Sequence, residues 1–244
     1  MTHYPPVTTS EHKGLRHLHI GSPWIQGSMR LGKPDALELE YVQQMMMWLL
    51  FDRQPRHIVQ LGLGAGSLAK FCYKNCPQSR VTAVEINPQV IAVCASMFAL
   101  PPNDERLNVI EMDALDFVMS PSNHGIADIL QVDLYDDNVR GPALNSSEFY
   151  QACANCLTPE GIMTTNLFCD YGDYGKNLEA MVKAFGAVVW LPPVHDGNVV
   201  IIAFKHAPQV DFSSLYERAA EIRTSLQLPA ESWVDGLQTW MQDD

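Results

Sequence analysis

From about residue 56 to residue 204 the chain alternates short β-branched runs with helical patterns, and this alternation limits the possible folds more than any other feature. HIVQLG, RVTAVEI, LNVIEM, ADILQVD, GIMTTNL, AVVWL and NVVIIAF read as strands. SLAKFCYKN, PQVIAVCASMF, ALDFVM, SSEFYQACANCL and YGKNLEAMVKAF lie between them and read as helices. Pro88 stands where a first helical turn tolerates it, having no N–H to satisfy. Strands separated by helices must run mainly parallel, in a sheet covered on both faces. Only PPVHDG separates the last two, so these should pair as an antiparallel hairpin. The expected class is α/β: a Rossmann-like, seven-stranded, mostly parallel sheet with a terminal antiparallel hairpin, a small N-terminal β-element and C-terminal helices.

The flanks are simpler. GLRHLHI and WIQGSMRLG are short and glycine-bounded, and read as the small β-element. DALELEYVQQMMMWLLF reads as one helix with Leu37, Tyr41, Met45, Trp48 and Leu49 on one face, its three consecutive methionines being core filler. DFSSLYERAAEIRTSLQL spaces Leu215, Ala219, Ile222 and Leu226 as a helix, with Ser214 and Glu217 placed as a capping box. The organisation expected is a β-element over residues 1–35, a main domain built on the parallel sheet over 36–206 and a helical extension over 207–244.

Composition excludes some classes of partner. A formal net charge of −12 repels phosphates, so nucleic acid is not expected as a partner. No apolar run approaches the ~20 residues that span a bilayer. MTHYPPVTTSEHKG lacks the basic-then-apolar pattern of a signal peptide, and a cytoplasmic location is expected. Six cysteines form no paired framework. Cys153 and Cys156 make a C-x-x-C inside a helical segment with no second pair, which reads as reduced thiols rather than a metal site. His17 and His19 share a strand face, and His195 and Asp196 sit in the hairpin loop; with no ligand partner at the right spacing these read as ordinary histidines, and no metal is expected.

In an open parallel sheet, ligands bind beyond the carboxyl ends of the strands, where strand order reverses. Four features fall there. VQLGLGAGSL places Gly62, Gly64 and Gly66 after the first strand; Glu85 ends the second; Asp113, followed by Ala114, comes after the third; Asp133 ends the fourth. The pattern departs from a dinucleotide fingerprint, because Ser67 occupies the position of its third glycine. Bare glycines let backbone approach a ligand, and the following helix start offers free N–H donors. A carboxylate at Glu85 suits the two hydroxyls of a ribose, and Asp113 with the backbone beside it suits an adenine amino group. The bland alternative is that acidic residues end strands and cap helices; the convergence of four positions favours an adenosyl nucleoside.

The residues that carry this site resemble the spermidine synthase family, the polyamine aminopropyltransferases, over about residues 14–205. VQLGLGAGSLAKF resembles the family's glycine loop. VTAVEINPQVIAVCASMFALPPNDERLNVIEMDALDFV resembles its "VEIDP…GDA…F" block, and ADILQVDLYDDNVRGPALNSSEFYQACANCLTPEGIMTTN its "YDVIIVDSSDP…GPA…FY…GG" block. WIQGSMRLGKPDALELEY resembles the upstream "LDG..Q…DE..Y". The resemblance implies the S-adenosylmethionine-dependent methyltransferase fold and an aminopropyl donor, decarboxylated S-adenosylmethionine. It further implies a small amine acceptor and a homodimer. It makes Asp133 the proton acceptor and Asp136 an amine-positioning partner, with Tyr41 beside the substrate; Tyr135, where the family has Ser or Thr, is expected to narrow the pocket or stack on the nucleoside.

The chain departs from the family pattern at several of these positions. Ala65 stands where the family has an Asp that pairs with the donor's amine; Gln26, Arg30 and Gln43 replace Asp, Gln and Glu on the acceptor side. An arginine there opposes a cationic substrate. Aminopropyl transfer is therefore weighed against methyl transfer from intact S-adenosylmethionine and against a non-catalytic nucleoside-binding role.

Overall fold

The computed structural model describes residues 4–52, 54–135, 145–168, 174–194 and 197–243. The chain opens with an antiparallel sheet, β1 (Val7–His12), β2 (Leu15–Ile20) and β3 (Gly27–Arg30), paired in that order. β1 went unread in the sequence because VTTSEH has almost no apolar face, and most of its residues are exposed.

The main sheet has seven strands: β4 (His57–Leu61), β5 (Arg80–Glu85), β6 (Leu107–Glu111), β7 (Ala127–Val132), β8 (Leu157–Phe168), β9 (Ala187–Trp190) and β10 (Asn198–Phe204). Their order is β6-β5-β4-β7-β8-β10-β9. β4 through β8 are parallel, and β10 runs antiparallel to both β8 and β9, as the short final connection requires. β4 is buried throughout and β7 at every residue but Asp128, as befits central strands covered on both faces.

One face carries α2 (Ser67–Asn75), α3 (Pro88–Met97), the N-terminal sheet and the C-terminal helices α7 (Phe212–Leu226) and α8 (Ala230–Asp243). The other carries α4 (Ala114–Met119), α5 (Ser147–Cys156) and α6 (Tyr174–Ala184). Cys153 and Cys156 lie buried in α5 as free thiols, raised in pKa by burial. Among the described residues no helix is long and apolar enough to cross a membrane.

Two expectations need correction. Residues 36–51 do not form one helix: α1 covers only Glu40–Gln44, and a 3₁₀ turn follows at Met47–Leu50. Met45, Met46, Met47, Trp48, Leu49 and Leu50 are all buried. A straight amphipathic helix hides one stripe, whereas six consecutive buried residues need a path covered on every side. The methionines are nevertheless core. At α7 the cap is Asp211, whose carboxylate accepts from the Ser213 and Ser214 amides and from the Ser214 hydroxyl. That places the helix start one turn earlier than a Ser214–Glu217 capping box would.

Candidate active site

The strand order reverses between β4 and β7, and the glycine loop and Asp133 leave the sheet side by side there. The Asp133 amide donates to the Leu61 carbonyl at 2.9 Å. Gly62 has φ +87°, and a Cβ on it would come within 2.2 Å of the Asp133 carbonyl oxygen. Glycine is obligatory there for both reasons. Gly64 and Gly66 also have positive φ, and Gly66 caps α2.

A second wall is β3, lying on the loop. A Cβ on Gly27 would meet that of Ala65 at 2.7 Å, and the Ser67 hydroxyl donates to the Ser28 carbonyl at 3.3 Å. The Ala65 methyl is therefore buried against β3, at 3% exposure.

Glu85, at the end of β5, ties the next strand to the loop. Its Oε2 accepts from the Leu63 amide at 2.9 Å and its Oε1 from the Asn87 amide at 2.9 Å. Burial raises its pKa, and the backbone donors Leu63, Asn87 and Ile86 oppose that. With these three donors on its roughly four acceptor sites, the carboxylate keeps room for a further donor.

Asp113 caps α4, its Oδ1 accepting from the Leu115 and Asp116 amides at 2.8 and 3.2 Å. Helix capping thus accounts for one of its oxygens, and Ala114 is the buried first residue of the helix. Ile86 and Met112, 45% and 41% exposed, follow β5 and β6 directly. The Met112 amide donates to the Glu85 carbonyl, which places the two residues on one rim. Large apolar side chains beside fixed carboxylates suit the face of a flat base. The only sequence signal for them is their position just past two strands.

Asp133 is the most perturbed carboxylate at this rim. Its Oδ2 accepts from the Tyr41 hydroxyl at 3.4 Å and its Oδ1 from the Asn166 side-chain amide at 3.3 Å. Burial pushes its pKa up to about 6, with Asn166 and Tyr41 pulling the other way. Tyr41 is in turn raised well above its usual value by burial and by the Asp133 charge.

Asn166, on β8, escaped the sequence reading, since an isolated Asn on a strand carries no pattern. It is 1% exposed, and its side-chain oxygen has no hydrogen-bond partner among the described residues. Tyr135 donates to the Asn166 carbonyl at 3.3 Å and packs edge-on against Phe168. Asp136, Asp137, His195 and Asp196 lie outside the described residues.

The structure removes one objection on the acceptor side. Arg30 forms a two-pronged ion pair with Glu38, Nε to Oε1 at 2.8 Å and a terminal nitrogen to Oε2 at 2.5 Å. Its charge is compensated rather than presented to a cation. Gln43 is turned to the Leu37 carbonyl at 2.7 Å. His17 bonds Ser28, and His19 bonds Ser10 and the Trp24 carbonyl. No group of three His, Cys, Asp or Glu among the described residues could hold a metal ion.

The architecture is that of the S-adenosylmethionine-dependent methyltransferases. Human methyltransferase-like protein 13, crystallised in complex with SAH, superposes with TM-score 0.70 at 25% identity, over 78% of this chain and 93% of that one. A probable spermidine synthase from Corynebacterium glutamicum gives TM-score 0.70 at 21% identity, over 87% and 83%. A family model for the spermine/spermidine synthase domain matches residues 39–213. The polyamine aminopropyltransferase of Neisseria meningitidis serogroup A is 36% identical over 238 residues, 96% of this chain and 90% of the relative. The chain belongs to the spermine/spermidine synthase family.

Proposed function

We propose that the protein transfers an aminopropyl group from decarboxylated S-adenosylmethionine to a small amine. The observation that carries this reading is Asp133. It is a carboxylate at the switch point, beside the glycine loop, flanked by Tyr41 and Asn166, with its pKa near 6. The donor fits the rim: glycine backbone for close approach, Glu85 held with room to accept from a ribose, and Ile86 with Met112 for the adenine face.

The donor supplies an electrophilic methylene carbon next to a sulfonium. An amine nitrogen bonds to that carbon, the carbon–sulfur electrons return to sulfur, and methylthioadenosine leaves neutral. A primary amine carries a proton below about pH 10 and has no lone pair to attack with. Asp133 is mostly ionised at neutral pH, so it accepts that proton or relays it. The Asn166 side-chain oxygen and the Tyr41 hydroxyl are the polar groups beside it that orient the amine. Asp136 takes the remaining ammonium, a role resting on the family resemblance.

One observation favours a second reading, methyl transfer from the intact donor. Ala65 lies against Gly27, so no carboxylate stands there to pair with the donor's amine. Offering the purified protein each donor with putrescine, cadaverine, agmatine and spermidine separates the two by mass spectrometry. Methylthioadenosine formed from the decarboxylated donor is the expected product. S-adenosylhomocysteine formed from the intact one would replace the first reading with the second. Asp133→Asn should abolish amine alkylation and leave methylthioadenosine affinity within about threefold; surviving turnover refutes the role of Asp133.

A further inference from the structure

A buried polar layer lies one step below Asp133. Gln131 and Thr164 are direct register partners on the adjacent central strands β7 and β8, and both are fully buried. Directly opposed residues share a face of the sheet, and residues two apart along a strand share it too. Asp133 follows Gln131 by two residues, and Asn166 follows Thr164 by two. The same face thus carries Asp133 with Asn166 at the rim and Gln131 with Thr164 one step below.

Both lower side chains point to a single backbone atom. The Thr164 hydroxyl donates to the Met45 carbonyl at 3.1 Å, and the Gln131 amide donates to the same oxygen at 3.4 Å. Gln131 also faces the Met46 sulfur and accepts from the Cys72 thiol. Met45 is the C-cap of α1, and its amide donates to the Tyr41 carbonyl at 2.8 Å. Tyr41 is the residue whose hydroxyl reaches Asp133.

The repeats of the two structures match. Four residues of α-helix rise about 6 Å, and two residues of strand about 6.6 Å. With Met45 fixed at the level of Gln131 and Thr164, Tyr41 arrives at the level of Asp133. α1 has only five residues, too few to hold itself in place. Its position against the sheet is set by Val42 and Met45 in the core and by this layer on the Met45 carbonyl.

We propose that Thr164 and Gln131 are positioning residues, which hold the Met45 carbonyl and so set the height of α1 that brings the Tyr41 hydroxyl to Asp133. The inference rests on Asp133 being the working carboxylate of the reaction above. Valine and leucine would fill the same space but leave the Met45 carbonyl, at the open C-terminal end of α1, without either donor, so the layer fixes that end of the helix against the sheet.

The test is a double-mutant cycle between Thr164→Val and Tyr41→Phe, with Gln131→Leu as a second probe of the layer and methylthioadenosine binding as the check of folding. Thr164→Val should lower kcat about three- to tenfold, the size of one lost hydrogen bond, with little change in the donor KM. Its acid limb should move to higher pH, as in Tyr41→Phe, because both variants take a donor from Asp133. Thr164→Ser should restore both. In the Tyr41→Phe background, Thr164→Val should have no further effect.

The proposal is overturned if Thr164→Val and Gln131→Leu cost as much in that background as in the native protein. A lowered melting temperature with an unmoved acid limb overturns it equally. Should the native protein turn over no amine, the assigned reaction fails. The Asp133 carboxyl can still be followed by carbon-13 NMR, where Thr164→Val must raise its pKa as Tyr41→Phe does.

Discussion

Asp133, the proposed proton acceptor, sets chemistry against stability in one side chain. Its pKa near 6 in the folded protein exceeds the ~3.9 of an unfolded aspartate, so the folded state binds more protons between those values. Stability therefore falls as pH rises from about 4 to 6, and the full cost is present at pH 7. Asp133→Asn should stabilise the fold by about 1–3 kcal/mol at pH 7.5, an advantage that disappears by pH 4. Melting curves of the two proteins at both pH values check this; equal melting temperatures at pH 7.5 would refute the strained carboxylate. The same ionisation predicts that kcat/KM falls below about pH 6, as Asp133 takes up a proton and ceases to accept one. Asn166 lowers the Asp133 pKa by donating to it, so Asn166→Ala should move that limb upward. A pH–rate profile of the variant with an unmoved limb would assign the limb to another group.

At the scale of elements, the parallel sheet was legible because each strand is a compact β-branched run and each connection has helical spacing. The glycine loop, Glu85 and Asp133 were legible for a related reason, since their places follow from where strands end. What stayed hidden depends on tertiary surroundings. β1 is a polar strand defined by its pairing with β2 and not by an apolar pattern. Residues 36–51 have helical periodicity, yet burial on all sides breaks them after Gln44. Asn166, Ile86 and Met112 matter by juxtaposition across strands, which periodicity along a strand cannot report. Arg30 looked like an obstacle to a cation until Glu38, eight residues on, closed on it. The glycines test how tightly the loop is set. Gly14 and Gly62 both have positive φ, but a Cβ on Gly14 meets nothing within 4 Å, whereas on Gly62 it strikes the Asp133 carbonyl. Gly14→Ala should cost about 1–2 kcal/mol, the conformational strain alone, and leave methylthioadenosine binding unchanged. Gly62→Ala should cost more than that, because β4 and β7 must separate, and should weaken binding at least tenfold. Urea denaturation with calorimetric titration measures both; similar behaviour of the two variants would show that the loop has room to yield.

Across the whole molecule, the additions at the two ends and the sheet they flank share one core. A single cluster of buried side chains runs from Leu18 and Met29 of the N-terminal sheet through Met45, Trp48 and Leu50. It continues to Ile222 of α7 and to Trp233 and Leu237 of α8. Arg218 of α7 donates to the Leu49 carbonyl at 3.0 Å, fixing the C-terminal helices to the 3₁₀ turn that follows α1. Segments that share so much apolar surface cannot leave separately without exposing it, so the chain should unfold in one cooperative step. Trp233, 1% exposed in that cluster, is the sharpest probe. Trp233→Ala should cost about 3–5 kcal/mol by cavity formation. The loss should appear in every part of the molecule, so circular dichroism and tryptophan fluorescence should shift to the same lower midpoint. Methylthioadenosine at a hundred times its Kd adds about 2.7 kcal/mol to a protein that unfolds as one body, and should raise both midpoints together. If Trp233→Ala instead produced an early fluorescence transition while the ligand moved only a later one, the C-terminal helices would be a separate folding unit, and the sheet would hold its ligand without them.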